Sequence, residues 1–267
     1  MKVSIITPSY NQVDFIERTI QSVLSQDIDL EYIVIDGGSK DGTLEILEKY
    51  NGRLIWTSAK DKGQSDAVNK GLEMSSGEII GWLNSDDIYL PGALQKVVKY
   101  FEENPECKWL YGRCKIIDQH DKEIRQFITR YKNFISGKFS YRRLLIENFI
   151  SQPAVFFRKE VFQEFGFASL DHHYAMDYDL WLRLGKKYSP GVIHDYLASF
   201  RRHVHSKSES GYVKQFSEEY QIAKDNTHNP FLLLLHKLNI LKIIAVYSLM
   251  GKRNEMRKTK NEKRKTK

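Results

Sequence analysis

Asp86 and Asp87 stand side by side after the apolar run Glu78–Leu83 and just before Pro91-Gly92. Adjacent carboxylates repel each other unless a cation screens them. Mg²⁺ and Mn²⁺ take one or two protein carboxylates and complete their shell with water and phosphate oxygens. The pair therefore suits a nucleoside diphosphate bridged by a metal ion. Tyr10, within Thr7-Pro8-Ser9-Tyr10-Asn11, can offer a ring face to a nucleobase, and Asp36 can accept a base N–H. Asp177 and Asp179 fall in a helical run and, two residues apart, cannot share its face. Asp179 can pair with Arg183 at i,i+4, which leaves Asp177 free as a general base. His203 follows a strand-like run and suits a metal or phosphate contact. Each residue taken singly also has a structural reading: a solvated turn, a packed ring, a turn-starting aspartate, a core histidine.

The elements that must position these groups alternate. Lys2–Thr7, Glu31–Asp36, Arg53–Thr57 and Glu78–Leu83 read as short strands. Asp14–Gln26, Thr43–Tyr50, Gln64–Met74 and Pro91–Glu103 read as helices. Such alternation implies an α/β fold with a Rossmann-like, mostly parallel sheet flanked by helices. Ligands in these sheets bind beyond the carboxyl ends of the strands. Polar and acidic residues follow all four strands, so four loops converge on one edge. Further on, Trp109–Ile117, Glu123–Ile128, Val155–Arg158 and Val192–Phe200 read as strands, with helices near Tyr141–Glu147 and Ala175–Leu184.

Composition narrows the function. The chain has 267 residues and a net charge of +7. Lys252–Lys267 holds nine basic and two acidic residues, and the rest balances at 32 of each sign. A neutral body with one basic tail argues against nucleic acid as the main partner. Cys107 and Cys114 match no metal-ligand spacing. No apolar leader precedes the first strand, so a cytoplasmic chain is expected. No Gly-x-Gly-x-x-Gly follows that strand and no Gly-x-x-x-x-Gly-Lys-Ser/Thr occurs, which argues against a dinucleotide dehydrogenase and a P-loop ATPase.

Taken together, Thr7–Asn11, Val34–Thr43, Asp61–Gly71, Gly81–Asp87, Asp177–Arg183 and Arg201–His203 resemble the family 2 inverting glycosyltransferases of the GT-A fold, of the bacterial surface-polysaccharide type. The resemblance spans roughly residues 1–210. It implies a nucleotide-sugar donor, a UDP-sugar, held by Thr7, Pro8, Tyr10, Asp36, Asp66, Asn84 and Asp86. Asp87 and His203 are implied as ligands of Mn²⁺ or Mg²⁺, Asp177 as the catalytic base, and Gln152 and Trp181 as acceptor-side residues. Asn84 stands where relatives often carry Asp, Met176 where many carry Glu, and Val68 where many carry Arg. A membrane-associated glycan or lipid-linked oligosaccharide is the implied acceptor.

The implied organisation is a catalytic domain over 1–210, divided into a nucleotide-binding half (1–105) and an acceptor half (106–210). Amphipathic helices over 211–250 and a polybasic tail over 251–267 follow. Residues 231–250 are rich in Leu and Ile but carry Lys237 and Lys242 near the centre, which disfavours spanning. An in-plane helix on an anionic membrane surface, with the tail beside it, fits this pattern and predicts an enzyme peripheral to the inner face of the cell membrane. Two other classes use similar groups: a metal-dependent nucleotidyltransferase and a non-catalytic nucleotide-sugar-binding scaffold. The first normally has a Gly-rich, Arg-containing loop that Thr7–Asn11 is not, and the second does not need Asp177.

Overall fold

The computed structural model describes residues 1–204, 206 and 211–246. The polybasic tail expected over 251–267 lies outside the described residues. Eight strands form one sheet: β1 (Val3–Ser9), β2 (Leu30–Asp36), β3 (Ile55–Ser58), β4 (Ile79–Trp82), β5 (Ile88–Tyr89), β6 (Trp109–Ile117), β7 (Val155–Arg158) and β8 (Gly191–Arg201), in the order β3-β2-β1-β4-β7-β6-β8-β5. The pairs β1–β2, β2–β3, β1–β4 and β6–β8 are parallel, and β4–β7, β6–β7 and β5–β8 are antiparallel. The chain leaves β1 towards β2 and β3, then returns to place β4 on the other side of β1. That reversal opens a crevice between the carboxyl ends of β1 and β4.

Alternating side chains feed two cores. Ile5 points to one face, where it packs with Ile16, Ile20 and Val23 of α1 (Ile16–Leu24) and Leu94, Val97 and Phe101 of α4 (Ala93–Glu103). Ile6 points to the other, with Val68 of α3 (Gln64–Met74) and Leu180 and Trp181 of α8 (Met176–Lys187). The period of two in the strand and the i,i+3,i+4 spacing in the helices make these faces meet. Gly71 of α3 lies directly on Ile6, and any side chain there would collide with it. This close approach brings α3 and the loop before it to the carboxyl edge.

The remaining helices are α2 (Thr43–Glu48), α5 (Gln126–Ile135), α6 (Tyr141–Leu144) and α7 (Val161–Phe165), then a helix over Tyr212–Asn226 and a helical stretch over 230–246. One expectation fails here. Glu123–Ile128 is no strand: Glu123 makes a single bridge to Ile117 and the chain then turns into α5. The apolar residues Ile124, Phe127 and Ile128 are spaced i,i+3,i+4, a helical pattern, and Ile128, Thr129, Lys132 and Ile135 share one face of the helix that forms. The short β5 also escaped the sequence reading, since two residues carry no periodicity.

Candidate active site

A cleft of about 790 Å³ runs from the β1–β4 crevice to the helices of the second half. At the strand edge it is lined by Pro8 and Tyr10 after β1, Gly37 after β2, Lys60 and Asp61 after β3, and Asn84 and Asp86 after β4. Tyr10 is 61% exposed, with its ring unpacked at the mouth. The loop beneath it is tied down. Asn11 donates its backbone N–H to Ser39 Oγ at 2.7 Å, and its Oδ1 accepts from Lys40 N at 2.9 Å.

Asp36 supplies that bracing and stands off the cleft. It is fully buried and accepts from Gly38 N (2.9 Å), Ser39 N (2.8 Å), Ser39 Oγ (2.5 Å) and Ser58 Oγ (2.7 Å). Four donors surround the carboxylate and it does not line the cleft, so the expected contact with a base is corrected to a structural brace. The carboxylate that reaches the cleft nearby is Asp61, whose Oδ2 lies 3.0 Å from where a Gly37 side chain would begin. Thr7 is likewise buried, its Oγ1 accepting from Tyr32 Oη at 3.1 Å. Asp66 closes its own helix start, accepting from Lys62 N (3.1 Å) and pairing with Lys70 Nζ (2.7 Å), and it does not line the cleft.

The two adjacent aspartates take opposite directions. Asp86 lines the cleft and meets His203 Nε2 at 3.0 Å through Oδ2. Asp87 is fully buried; its Oδ1 accepts from Arg201 N at 2.8 Å, and its Oδ2 accepts a long 3.4 Å bond from Asn84 Nδ2. Burial and the neighbouring Asp86 carboxylate push Asp87 well above the usual carboxylate range. The expected metal ligand Asp87 is therefore corrected to an interior residue, and Asp86 is the carboxylate of the pair that faces the cleft. Arg201 holds the turn rigid, donating through Nε to Asp86 O (2.7 Å) and through Nη1 to Asp118 O (2.9 Å). Thr19 Oγ1 of α1 lies 2.9 and 2.8 Å from the carbonyls of Ser85 and Asp87.

Asn84 is the hub between the strand-edge end and the helical end of the cleft. Its Oδ1 accepts from Gln64 Nε2 (2.6 Å) and Trp82 Nε1 (2.9 Å), and its Nδ2 donates to Gln152 Oε1 (3.0 Å). Gln152 in turn donates to Trp82 O at 2.6 Å. An ionised Asp has no donor for Gln152, which explains an amide at this position.

At the far end, Asp177 lies in the first turn of α8 and lines the cleft, while Asp179 pairs with Arg183 at 2.8 Å on the other side. Burial pushes Asp177 up to about 6. In that first turn Asp177 Oδ1 accepts from Tyr178 N at 2.8 Å. Glu218, from the helix Tyr212–Asn226, fastens the loop that leads into α8, accepting from the N–H groups of His173 (3.2 Å), Tyr174 (2.7 Å) and Ala175 (3.0 Å). Its neighbour Glu219 enters the cleft beside Asp177 and is pushed up to about 7, mainly by burial. Trp181 does not reach this surface. Fully buried, it stacks between Trp109 (5.9 Å) and Phe157 (5.7 Å), so the acceptor-side expectation is corrected to a core role.

Three helices wall the far end, each with an i,i+3,i+4,i+7 face: Ile128, Thr129 and Lys132 on α5 with Arg125 just before it; Tyr212, Gln215, Phe216 and Glu219 on the next; His236, Asn239, Ile240 and Ile243 on the last. Sequence reading missed Asp61, Glu218, Glu219 and His236. Asp61 sits inside a quoted motif, but the others carry no local signal.

Among the described residues no three His, Cys, Asp or Glu side chains converge as a metal site. A divalent ion here would rest on Asp86 and His203, with a diphosphate supplying most of its oxygens. This donor set fits Mg²⁺ or Mn²⁺. Burial, hydrogen bonding and the cleft geometry thus describe a metal-compatible carboxylate at one end and a raised carboxyl at the other.

Comparison with known proteins identifies the family and the fold. The family model for glycosyl transferase family 2 matches residues 4–166. The UDP-Glc:alpha-D-GlcNAc-diphosphoundecaprenol beta-1,3-glucosyltransferase WfgD of Escherichia coli is 29% identical over 245 residues, 90% of this chain and 92% of WfgD. A PGL/p-HBAD biosynthesis glycosyltransferase of Mycobacterium bovis is 29% identical over 187 residues, 67% of this chain and 68% of the relative. Among solved structures, S. aureus TarS in complex with UDP-GlcNAc superposes with a TM-score of 0.64 at 20% identity, covering 85% of this chain and 66% of that one. The mannosyltransferase PcManGT of Pyrobaculum calidifontis, in complex with GDP-Man and Mn²⁺, gives 0.63 at 17% identity over 96% and 80%. With the GT-A-like sheet, the carboxylate-lined crevice and a family match over most of the chain, this protein belongs to glycosyl transferase family 2.

Proposed function

We propose that this enzyme moves a sugar from a UDP-sugar to a hydroxyl of a membrane-associated, lipid-linked glycan, with inversion at the anomeric carbon. The observation that carries the reading is Asp177: a cleft-lining carboxyl with a raised pKa, across the same cleft from Asp86. Tyr10 covers the base, Asp61 reads its edge, and Pro8 and Asn84 shape the floor. Lys60 and Arg202 line the cleft where the diphosphate would lie. A divalent ion held by Asp86 and His203 neutralises charge on the leaving diphosphate when bound. Asp177 takes the proton from the acceptor hydroxyl, whose oxygen attacks C1 from the face opposite the diphosphate. Single displacement turns an α-linked donor into a β-linked product. WfgD, which carries its donor and lipid-linked acceptor in its name, supports this substrate class.

Membrane contact is part of the same proposal. Outward faces of α5 and of 230–246 expose Phe127, Phe134, Phe231, Leu234, Leu238 and Leu241 at 52–85%. Neither element contains an acidic residue, and Lys242 lies 5.0 Å over the Tyr131 ring that joins them. Among the described residues no helix is long and apolar enough to cross a membrane. Apolar side chains ringed by lysines suit an in-plane contact with an anionic inner leaflet.

A panel of nucleotide sugars with Mg²⁺ or Mn²⁺ tests the donor. The cognate UDP-sugar should raise the melting temperature by mass action, and the anomeric coupling of the product should report inversion. A retained configuration, or stabilisation by no UDP-sugar, refutes the reading. Flotation with anionic vesicles tests the surface, because replacing Phe231, Leu234, Leu238 and Leu241 by Ser should abolish it.

A further inference from the structure

The acceptor end of the cleft contains polar atoms that the fold leaves without partners. His236 is 1% exposed and Thr129 is 2% exposed, and both line the cleft. His236 Nδ1 lies 2.8 Å from the carbonyl of Leu145. A carbonyl only accepts, so Nδ1 carries the proton. Burial lowers the ring's pKa, so the imidazole is neutral and Nε2 is left as a buried lone pair with no partner. Thr129 Oγ1 and Asn148 Oδ1 are buried without partners as well. A buried polar atom without a partner is destabilising, so three lining one cleft call for a ligand.

The groups around them are mutually close. Glu219 interacts electrostatically with Asp177 and Lys132, and Asn148 hydrogen-bonds its carboxyl. Lys132 also acts on Asp177. Thr129 and Lys132 are three residues apart and share the inner face of α5. His236 packs at 6.2 Å from the ring of Tyr178, the residue after Asp177. The wall therefore offers an acceptor-only imidazole, a hydroxyl, an amide oxygen, a carboxyl and an ammonium around the base. Apolar side chains of the same three helices lie between them. Polyhydroxylated rings bind surfaces of this kind, where a few placed polar groups sit in an apolar lining.

We propose that this chamber is the binding site for a pyranose ring of the acceptor, with His236 Nε2, Thr129 Oγ1, Asn148 Oδ1 and Glu219 engaging ring hydroxyls and so presenting one of them to Asp177. The inference rests on the glycosyl-transfer reading above and assigns it residues, two of them from helices beyond the stretch matched by the family model. It makes the helices after residue 211 part of the catalytic unit.

Saturation-transfer NMR on the full chain, with UDP and Mg²⁺ present, tests it without turnover. The probes are the methyl glycosides of glucose, galactose, mannose, N-acetylglucosamine and N-acetylgalactosamine. At least one should bind the wild type. Thr129→Val keeps the shape and removes the hydroxyl, and Glu219→Gln keeps the shape and the burial. Each should weaken glycoside binding by about five-fold or more, and His236→Phe by more, with the UDP affinity measured by calorimetry unchanged. If no glycoside binds the wild type, or if Thr129→Val and Glu219→Gln bind as the wild type does, the chamber is refuted. Failure of the parent reading looks different: UDP would not bind, whatever the glycosides do.

Discussion

The donor end of the cleft is built from strand termini, and the acceptor end from helix faces. Both ends are fastened by bonds between distant parts of the chain: Asp86 meets His203, 117 residues on, and Glu218 holds the entrance to α8 from more than forty residues away. They differ in where their polar residues come from: at the donor end these residues directly follow strands, which makes that end readable as motifs, whereas the helix faces of the other end meet only after the chain has folded over itself. The acceptor end can change its lining by single substitutions on three independent helices, and specificity for an acceptor can vary without disturbing the nucleotide site.

Mutations can break this contrast. Asp177→Asn keeps the shape of the base and removes its proton affinity. Transfer should fall by roughly 10²–10⁴-fold while UDP affinity, read by calorimetry, stays at the wild-type level. Asp86→Ala should weaken Mg²⁺-dependent UDP binding by at least about ten-fold with the melting temperature little changed. Asp87→Ala should do the reverse: it strips the acceptor from a buried N–H at a cost of about 1–3 kcal/mol, seen as a lowered melting temperature. Equal effects of the two on UDP binding would erase the distinction drawn between them.

The pH profile separates the ends as well. Asp177 must be ionised to take a proton, so kcat should drop about ten-fold per pH unit below about 6 and level off above it. Stability should follow the opposite course. Asp177 and Glu219 have folded values of about 6 and 7, above their ordinary 3.8 and 4.5. The folded state therefore keeps protons that the unfolded chain has released. This contribution is fully present below pH 4 and is lost as pH rises through 6 and 7, so between those limits these two carboxyls lower the urea midpoint as pH rises. In Asp177→Asn that fall should be shallower.

The smallest effect is expected at Glu218. Glu218→Ala should cost about 1–3 kcal/mol, since it removes the acceptor from backbone N–H groups before α8, and lower kcat a few-fold through a loosened approach to Asp177. A normal kcat with a lowered melting temperature would show that this contact serves stability alone.

Much of the fold was legible. The strand and helix periods of the first hundred residues predict β1–β4 and α1–α4 closely, because local pattern and tertiary role agree there. The failures have physical causes. Asp87 and Asp36 read as ligands because they are acidic at strand ends, but a carboxylate's direction depends on which neighbours donate to it. Trp181 read as an acceptor residue by its place in a motif, yet the aromatic stack with Trp109 and Phe157 claims its surface. Glu123–Ile128 is rich enough in Ile and Phe to read as a strand, yet its apolar residues at 124, 127 and 128 keep helical spacing, and the chain turns into α5 there.

By itself, the sequence determined the α/β sheet, the convergence of polar loops on one edge and the separation of Asp177 from Asp179, since these follow from residue types at fixed spacing. Tertiary structure decided which carboxylates face the cleft and which lie inside, and that helices after residue 211 complete it. Burial and hydrogen-bond saturation are properties of neighbours far apart in the chain, and no local pattern encodes them.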